Sequence, residues 1–338
     1  MIPLKMLVMS LTGDCNLRCR YCYAAEQNIS YMSWETARSA VDLAAAPGKP
    51  LVLQLSGGEP LLAFPLIQRL AGYIRAKQWP VTIQLQTNGT LITEETADFL
   101  RTADFGIGVS LDGRPAVNDR QRQYPDGSGA SAAAIAGIQR LAVRKIGIGL
   151  TCVVTAENVN ALDGLVELAY YLGNVRRIGF DLLRMQGRGQ AMQPASAEAV
   201  RSGFAQAYSR AAELACLTGY RIRFTQAEQA AAVASGRRKG FAHCHAMNGQ
   251  SAHVDALGNF YVCSSFVGDP RFYIGNVHDG LDESRQRASG QFIRSSMQGC
   301  IDCPDFAACG GACFARACGV GGCCDAECAL KRAAIACL

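Results

Sequence analysis

Cys15-Asn16-Leu17-Arg18-Cys19-Arg20-Tyr21-Cys22 stands directly behind an apolar run at residues 4–12 that reads as the first strand. Its spacing is C-x3-C-x2-C. Three thiolates on one tight loop can hold three irons of a [4Fe–4S] cube and leave the fourth iron open to another ligand. A zinc knuckle is the competing reading, but zinc normally takes four ligands and no fourth is close in sequence. The loop also sits at the C-terminal end of its strand, where α/β barrels place their active sites.

Outward from this loop, short β-branched runs alternate with amphipathic stretches. Strands are expected at 4–12, 51–55, 81–86, 105–110, 146–155 and 177–183. Helices are expected at 33–46, 65–77, 94–101, 131–144 and 160–172, the first capped by Ser33. Six strand–helix repeats predict an α/β fold with a parallel sheet and helices outside it. Doubly wound sheets and barrels share the pattern, and six units would make an incomplete barrel. A polar, glycine-bearing stretch at 186–194 breaks the rhythm. Helices at 197–216 and 226–234 then read as a connector. We expect three parts: a barrel over 1–190, the connector over 191–243 and a Cys-rich tail over 244–338. In the tail helical periodicity is lost, and 252–255 with 259–263 read as a hairpin around Leu257-Gly258. The tail has little apolar material for a core of its own, so metal is expected to organise it.

The chain has 338 residues and 16 cysteines, three in the first loop and eleven from Cys244 to Cys337. Cys152 and Cys216 lie between and read as buried small apolar residues. A secreted disulfide scaffold would be short and follow a signal peptide, and neither holds. Clustered thiols in a reducing cytoplasm, the expected location, are metal ligands. Charged residues are 18% of the chain with net charge +5, and no basic run exceeds Arg237-Arg238-Lys239. That excludes the electrostatic signature of a nucleic-acid or membrane-surface binder. No apolar stretch approaches the ~18 residues of a membrane span.

The cysteine loop, with Tyr21 before its third cysteine, resembles that of the radical S-adenosylmethionine (SAM) enzymes. Gly57-Gly58-Glu59-Pro60 after the second strand is similar to the family segment that holds the SAM amino group. By that resemblance Gly57 and Gly58 let the backbone approach the ammonium, and Glu59 supplies charge. Gln86-Thr87-Asn88-Gly89 and Ser110-Leu111-Asp112-Gly113 resemble segments lining the SAM and substrate cavity. Asn88, Ser110 and Asp112 are thereby implied as cofactor contacts, Ser110 to the ribose. Either segment could instead be an ordinary Asn-Gly or Asp-Gly turn. Asp119 and Arg122 resemble a D-x-x-R element, with Arg122 implied for the methionyl carboxylate; a solvated surface arginine is the alternative.

The tail spacing is C-x13-G-x4-C, then C-x2-C-x5-C-x3-C, then a late cysteine, and it resembles the SPASM domain of peptide-modifying radical SAM enzymes. A zinc ribbon is the alternative. The two resemblances together imply a partial (β/α)6 TIM-type barrel followed by a small metal-organised domain. Cys15, Cys19 and Cys22 are implied ligands of the SAM-binding [4Fe–4S] cluster. Cys300, Cys303 and Cys309 are implied for one auxiliary [4Fe–4S] cluster, and Cys244, Cys263 and Cys313 for a second. Cys328 has the context expected of the closing ligand, with the Cys323-Cys324 pair as an alternative and Cys318 and Cys337 as spares. No fourth ligand is evident beside Cys244, although His243 and His245 flank it.

The chemistry implied is reductive cleavage of SAM to a 5′-deoxyadenosyl radical, which abstracts a hydrogen atom. Auxiliary clusters suit reactions that must shed a second electron. The implied substrate is a ribosomally made peptide or protein segment, oxidised or crosslinked. A flavodoxin or ferredoxin-type reductant is implied as a partner. Only 14 residues precede Cys15, so a separate leader-recognition protein or a leaderless substrate is expected. Sulfatase-maturing members carry Asp after the second hairpin cysteine, where this chain has Ser264; formylglycine formation is therefore disfavoured, and no acid–base residue is named. The alternatives are a radical SAM dehydrogenase of an aminocyclitol or tetrapyrrole, and a non-catalytic electron-transfer protein.

Overall fold

The computed structural model describes residues 4–241, 244–317 and 324–338. His243, Cys318 and Cys323, named above, lie outside the described residues. Six parallel strands form the barrel wall. They are β1 (Met6–Ser10), β2 (Leu51–Ser56), β3 (Val81–Thr87), β4 (Gly106–Ser110), β5 (Ile148–Val154) and β6 (Val175–Leu182). The helices between them are α1 (Trp34–Ala44), α2 (Phe64–Lys77), α3 (Glu94–Thr102), α4 (Pro115–Gln121), α5 (Ser131–Val143) and α6 (Leu162–Leu172). Ser33 caps α1, its hydroxyl accepting from the Thr36 N–H.

The period of two sorts the strands into two faces. Leu7, Met9, Leu53, Leu55, Leu85, Val109, Leu150 and Phe180 are buried against the helices. The opposite face carries Gln54, Gln84, Gln86, Gly108, Ser110 and Thr151, all half-buried. Register aligns these polar and small residues across neighbours, Gln54 with Gln84, Gln86 with Gly108, and Ser110 with Thr151. The inner face of the barrel is therefore lined by polar and small residues.

The connector supplies α7 (Ala197–Thr218), a two-residue strand β7 (Arg223–Phe224) beside β6, and α8 (Thr225–Ala234). Cys152 is buried in β5, whereas Cys216 is exposed on the last turn of α7. The buried reading of Cys216 is thus corrected. That helix buries Val200, Phe204, Ala207 and Ala211, and Cys216 lies off that stripe.

The tail is joined to the barrel by backbone pairing. β8 (Ser251–Val254) runs parallel to β1 on the side away from β2, and β9 (Asn259–Tyr261), β10 (Tyr273–Asn276) and β11 (Gly280–Leu281) continue antiparallel. One sheet of eleven strands results. Two tail helices depart from the expected loss of helical structure, α9 (Glu283–Ser296) and, after short turns α10 (Gln298–Ile301), α11 (Phe306–Cys309) and α12 (Phe314–Ala317), α13 (Asp325–Ile335). α13 packs on α7. The tail also has apolar packing: Phe266 stacks on Phe272 at 4.1 Å between ring centroids, and Phe314 and Phe292 close over them. Phe266, Phe272 and Phe314 belong to the same core as the barrel, with the half-exposed Phe292 at its edge, so metal is not alone in organising the tail. No helix among the described residues is long and apolar enough to cross a membrane.

Candidate functional site

The cysteine loop, Gly57-Gly58-Glu59, Gln86-Thr87-Asn88-Gly89 and Ser110-Leu111-Asp112-Gly113 stand at the C-terminal ends of β1, β2, β3 and β4 in turn. Parallel strands bring all four to one end of the barrel. Backbone bonds lock the first two together: the Gly58 N–H donates to Thr12 O (2.8 Å) and the Glu59 N–H to Asp14 O (2.9 Å). A Cβ on Gly57 would lie 2.2 Å from Thr12 O, and one on Gly58 2.1 Å from Asp14 O. Glycine is required here by the approach of two backbones, immediately before Cys15.

Glu59 is wholly buried. Its carboxylate accepts from the Thr87 hydroxyl (2.7 Å), the Asn88 N–H (2.7 Å) and the Leu61 N–H (3.1 Å). Burial raises its pKa and those three donors oppose the rise. Asn88 in turn donates to Asn16 Oδ1 (2.8 Å), and its amide lies 4.0 Å from Cys15 Sγ. Asn16 donates to the Thr90 hydroxyl (2.8 Å). The cysteine loop is thus fastened to the ends of β2 and β3.

Arg122 is 7% exposed rather than a solvated surface arginine. It donates to the Tyr21 hydroxyl, which donates to Asp112 Oδ2 (2.5 Å); Asp112 Oδ1 accepts from the Val153 N–H (2.8 Å). Arg122 and Asp112 lie 3.9 Å apart. Burial raises the Asp112 pKa against the opposing pull of Arg122. This chain holds Tyr21, and with it Cys22, in place. Ser110 faces the barrel interior and accepts from the Gln86 amide (3.1 Å). Asp119 caps α5, accepting from the Ser131 N–H (2.8 Å).

Sequence reading missed the turn at 187–191 as part of the site. The Arg188 side chain donates to Cys19 O (2.8 Å) and its N–H to Cys22 O (3.1 Å), while Gly187 has φ +52° and no room for a Cβ beside Cys22 O. The signal was the break in rhythm itself, with two glycines where a helix should begin.

The Cys15, Cys19 and Cys22 thiols are close enough to influence one another. Burial pushes Cys15 up to about 11 and raises Cys19. Among the described residues no three His, Cys, Asp or Glu side chains converge as a single metal ion demands. A cube offers each thiolate its own iron, so its ligands surround a centre instead of meeting at a point.

In the tail, Cys300, Cys303, Cys309 and Cys328 line one cavity of about 90 Å³ together with Lys331. Cys244, Cys263 and Cys313 form a separate mutually interacting group, with Cys244 pushed up to about 11 by burial. Arg184 acts on Cys263 and Cys313 and stacks on Tyr23, 4.4 Å from the ring centre. The Tyr23 and Ser264 hydroxyls pair at 3.3 Å, tying the first cysteine loop to the residue after Cys263. Cys324 lines a second cavity of about 110 Å³ with Val154, Leu182, Leu183 and Arg316. The donor chemistry of the two tail groups, thiols gathered with buried cations, fits iron–sulfur clusters.

Residues 9–169 match the radical SAM superfamily. This chain carries a radical SAM domain. Fe-coproporphyrin III synthase of Methanosarcina barkeri is 35% identical over 191 residues, 55% of this chain and 46% of that protein. Mycofactocin maturase MftC of Mycobacterium tuberculosis is 28% identical over 324 residues, 91% of this chain and 78% of that protein. The radical SAM chain spans about half the length of several curated relatives it matches, 46% and 48% for two of them and 63% for a third. The solved structure of anSMEcpe with bound AdoMet and Cp18Cys peptide has a TM-score of 0.77 at 22% identity, covering 92% of this chain and 89% of that one. That likeness shows a shared fold, barrel and tail together.

Proposed function

We propose that the chain is a radical SAM enzyme that removes hydrogen from a side chain of a ribosomally made peptide or protein segment, giving oxidation or a crosslink. The observation that carries this reading is the likeness to a maturase over nine-tenths of the chain, tail included. When bound, SAM and its cluster supply hydrogen-atom abstraction, and the two tail clusters supply an acceptor for the second electron. Cys15, Cys19 and Cys22 would hold the first cluster, with the backbone of 57–59, Asn88, Ser110, Asp112 and Arg122 around SAM. Cys300, Cys303, Cys309 and Cys328 would hold one tail cluster, and Cys244, Cys263 and Cys313 the other. The polar inner face, Gln54, Gln84, Gln86 and Thr151, offers hydrogen bonds to ribose and substrate inside the barrel. Tyr23 with Ser264, and Arg316 with Asp181, draw the tail onto the barrel mouth, which limits water around a reactive carbon. Ser264 supplies no carboxylate, which disfavours formylglycine formation. A reductant of the flavodoxin or ferredoxin class completes the scheme.

Oxidation of a small molecule is favoured by the synthase likeness, which reaches over 55% of the chain. The two are separated by supplying the reduced, SAM-loaded protein with a library of short Cys-, Tyr- and Trp-bearing peptides or with a panel of iron porphyrins and related tetrapyrroles that differ in their side chains. Peptide-dependent 5′-deoxyadenosine release with loss of hydrogen from the peptide mass is expected. Turnover of a tetrapyrrole with untouched peptides would establish the second reading. Reconstituted protein should hold about twelve irons, from three cubes of four. Cys19→Ala should abolish 5′-deoxyadenosine release while keeping about eight irons; retained release would overturn the assignment of this loop.

A further inference from the structure

Lys331 projects from α13 with 9% of its surface exposed and lines the same cavity as Cys300, Cys303, Cys309 and Cys328. Among the described residues its ammonium has no hydrogen bond or ion pair at bonding distance. Its nearest compensation is longer-range. Glu327, one turn back, attracts it, and its charge acts on both Cys309 and Cys313, one from each tail group. Glu327 is itself committed to Arg316 (2.6 Å).

A lysine whose stem is buried and which lines this cavity without a bonded anion is favoured when something anionic stands in the cavity. Four thiolates around an iron–sulfur cube provide such an anion, and the cube grows more negative on reduction. A cation with N–H donors aimed at the cavity favours the reduced form, because charge and hydrogen bonds to sulfur set cluster potentials.

Resting on the assignment of the tail cysteines as cluster ligands, we propose that Lys331 is a positioning residue that raises the reduction potential of the cluster held by Cys300, Cys303, Cys309 and Cys328. Its charge acts on Cys309 and on Cys313, one from each tail group, so it also biases which of the two clusters holds the electron. Arg316, fixed between Glu327 and Asp181, does not line that cavity.

The test is a potentiometric titration followed by electron paramagnetic resonance on the full reconstituted chain, comparing wild type, Lys331→Met and Lys331→Arg. With iron content unchanged, Lys331→Met should lower the potential of one tail cluster. The reduced-to-oxidised ratio at fixed potential should fall about tenfold, which is about 59 mV for one electron. Lys331→Arg should stay near wild type. Unchanged potentials in Lys331→Met at full iron content overturn the proposal. Should Lys331→Met lose iron, Glu327→Gln decides: removing that carboxylate raises the same potential if the local charge balance governs it, and an unmoved potential overturns it. Wild type with about four irons would instead remove the cluster assignment on which the proposal rests.

Discussion

His253 stands on β8, where the tail joins the barrel, fully out of water. Its Nε2 lies 3.3 Å from the Ser10 hydroxyl, and its Nδ1 has no partner among the described residues. Burial lowers its pKa from 6.5 to about 4. Above pH 6.5 the ring is neutral in folded and unfolded chains alike and contributes nothing to pH dependence. As pH falls from 6.5 toward 4 the unfolded chain takes up a proton that the folded one refuses, so stability is lost across that window. The full effect is about 3 kcal/mol. His253→Asn should flatten the dependence of the urea midpoint on pH between those limits, and an unaltered slope would refute the assignment. Nothing in the spacing around His253 marks it as buried, because its burial follows from the pairing of β8 with β1, a contact between residues 243 apart. The cysteines were legible for the opposite reason: their chemistry is local and their gaps are short. Arg122 fell between the two. Its motif could be quoted, but its partners Tyr21 and Asp112 come from other loops, and only the fold brings them to it.

The loops after β1 and β2 depend on each other more closely than on their strands. Gly58→Ala would force Asp14 O away and displace Cys15 with it. We expect at least a tenfold loss of 5′-deoxyadenosine release, with the tail iron retained; iron analysis and product release together check this, and full activity would show that the loop can yield. Strand positions and all the barrel helices but α4 were readable to within a few residues, because strict period-two and helical patterns are set by one continuous core. The seven-residue α4 (Pro115–Gln121) is too short to show a period and was not expected. The tail helices were not. α9 buries only Gln286, Ser289 and Ile293, so it has almost no apolar stripe to read. The ring cluster around Phe272 was equally invisible, since its members at 266, 272, 292 and 314 are brought together by the fold and not by spacing. Phe272→Ala should lower unfolding stability by about 3–5 kcal/mol, measured by denaturant titration of the iron-free chain, in which metal cannot compensate.

In the molecule as a whole, barrel and tail meet at the first cysteine loop. The cysteine loop and the Cys244, Cys263 and Cys313 group communicate through Tyr23, Ser264 and Arg184, and Asp181 with Arg316 adds a second link from β6 to the tail. A molecule bound at the barrel mouth would therefore meet both halves of the chain. Holding those halves in register is the work of β1, which is hydrogen-bonded on one flank to β2 and on the other to β8. A chain cut after residue 243 would leave the outer flank of Met6–Ser10 bare, with its amide and carbonyl groups seeking another strand. Such an exposed margin recruits copies of itself. The severed barrel should therefore form larger assemblies than the full chain does in size-exclusion chromatography, and the tail thereby acts as a guard against aggregation, quite apart from any iron it holds.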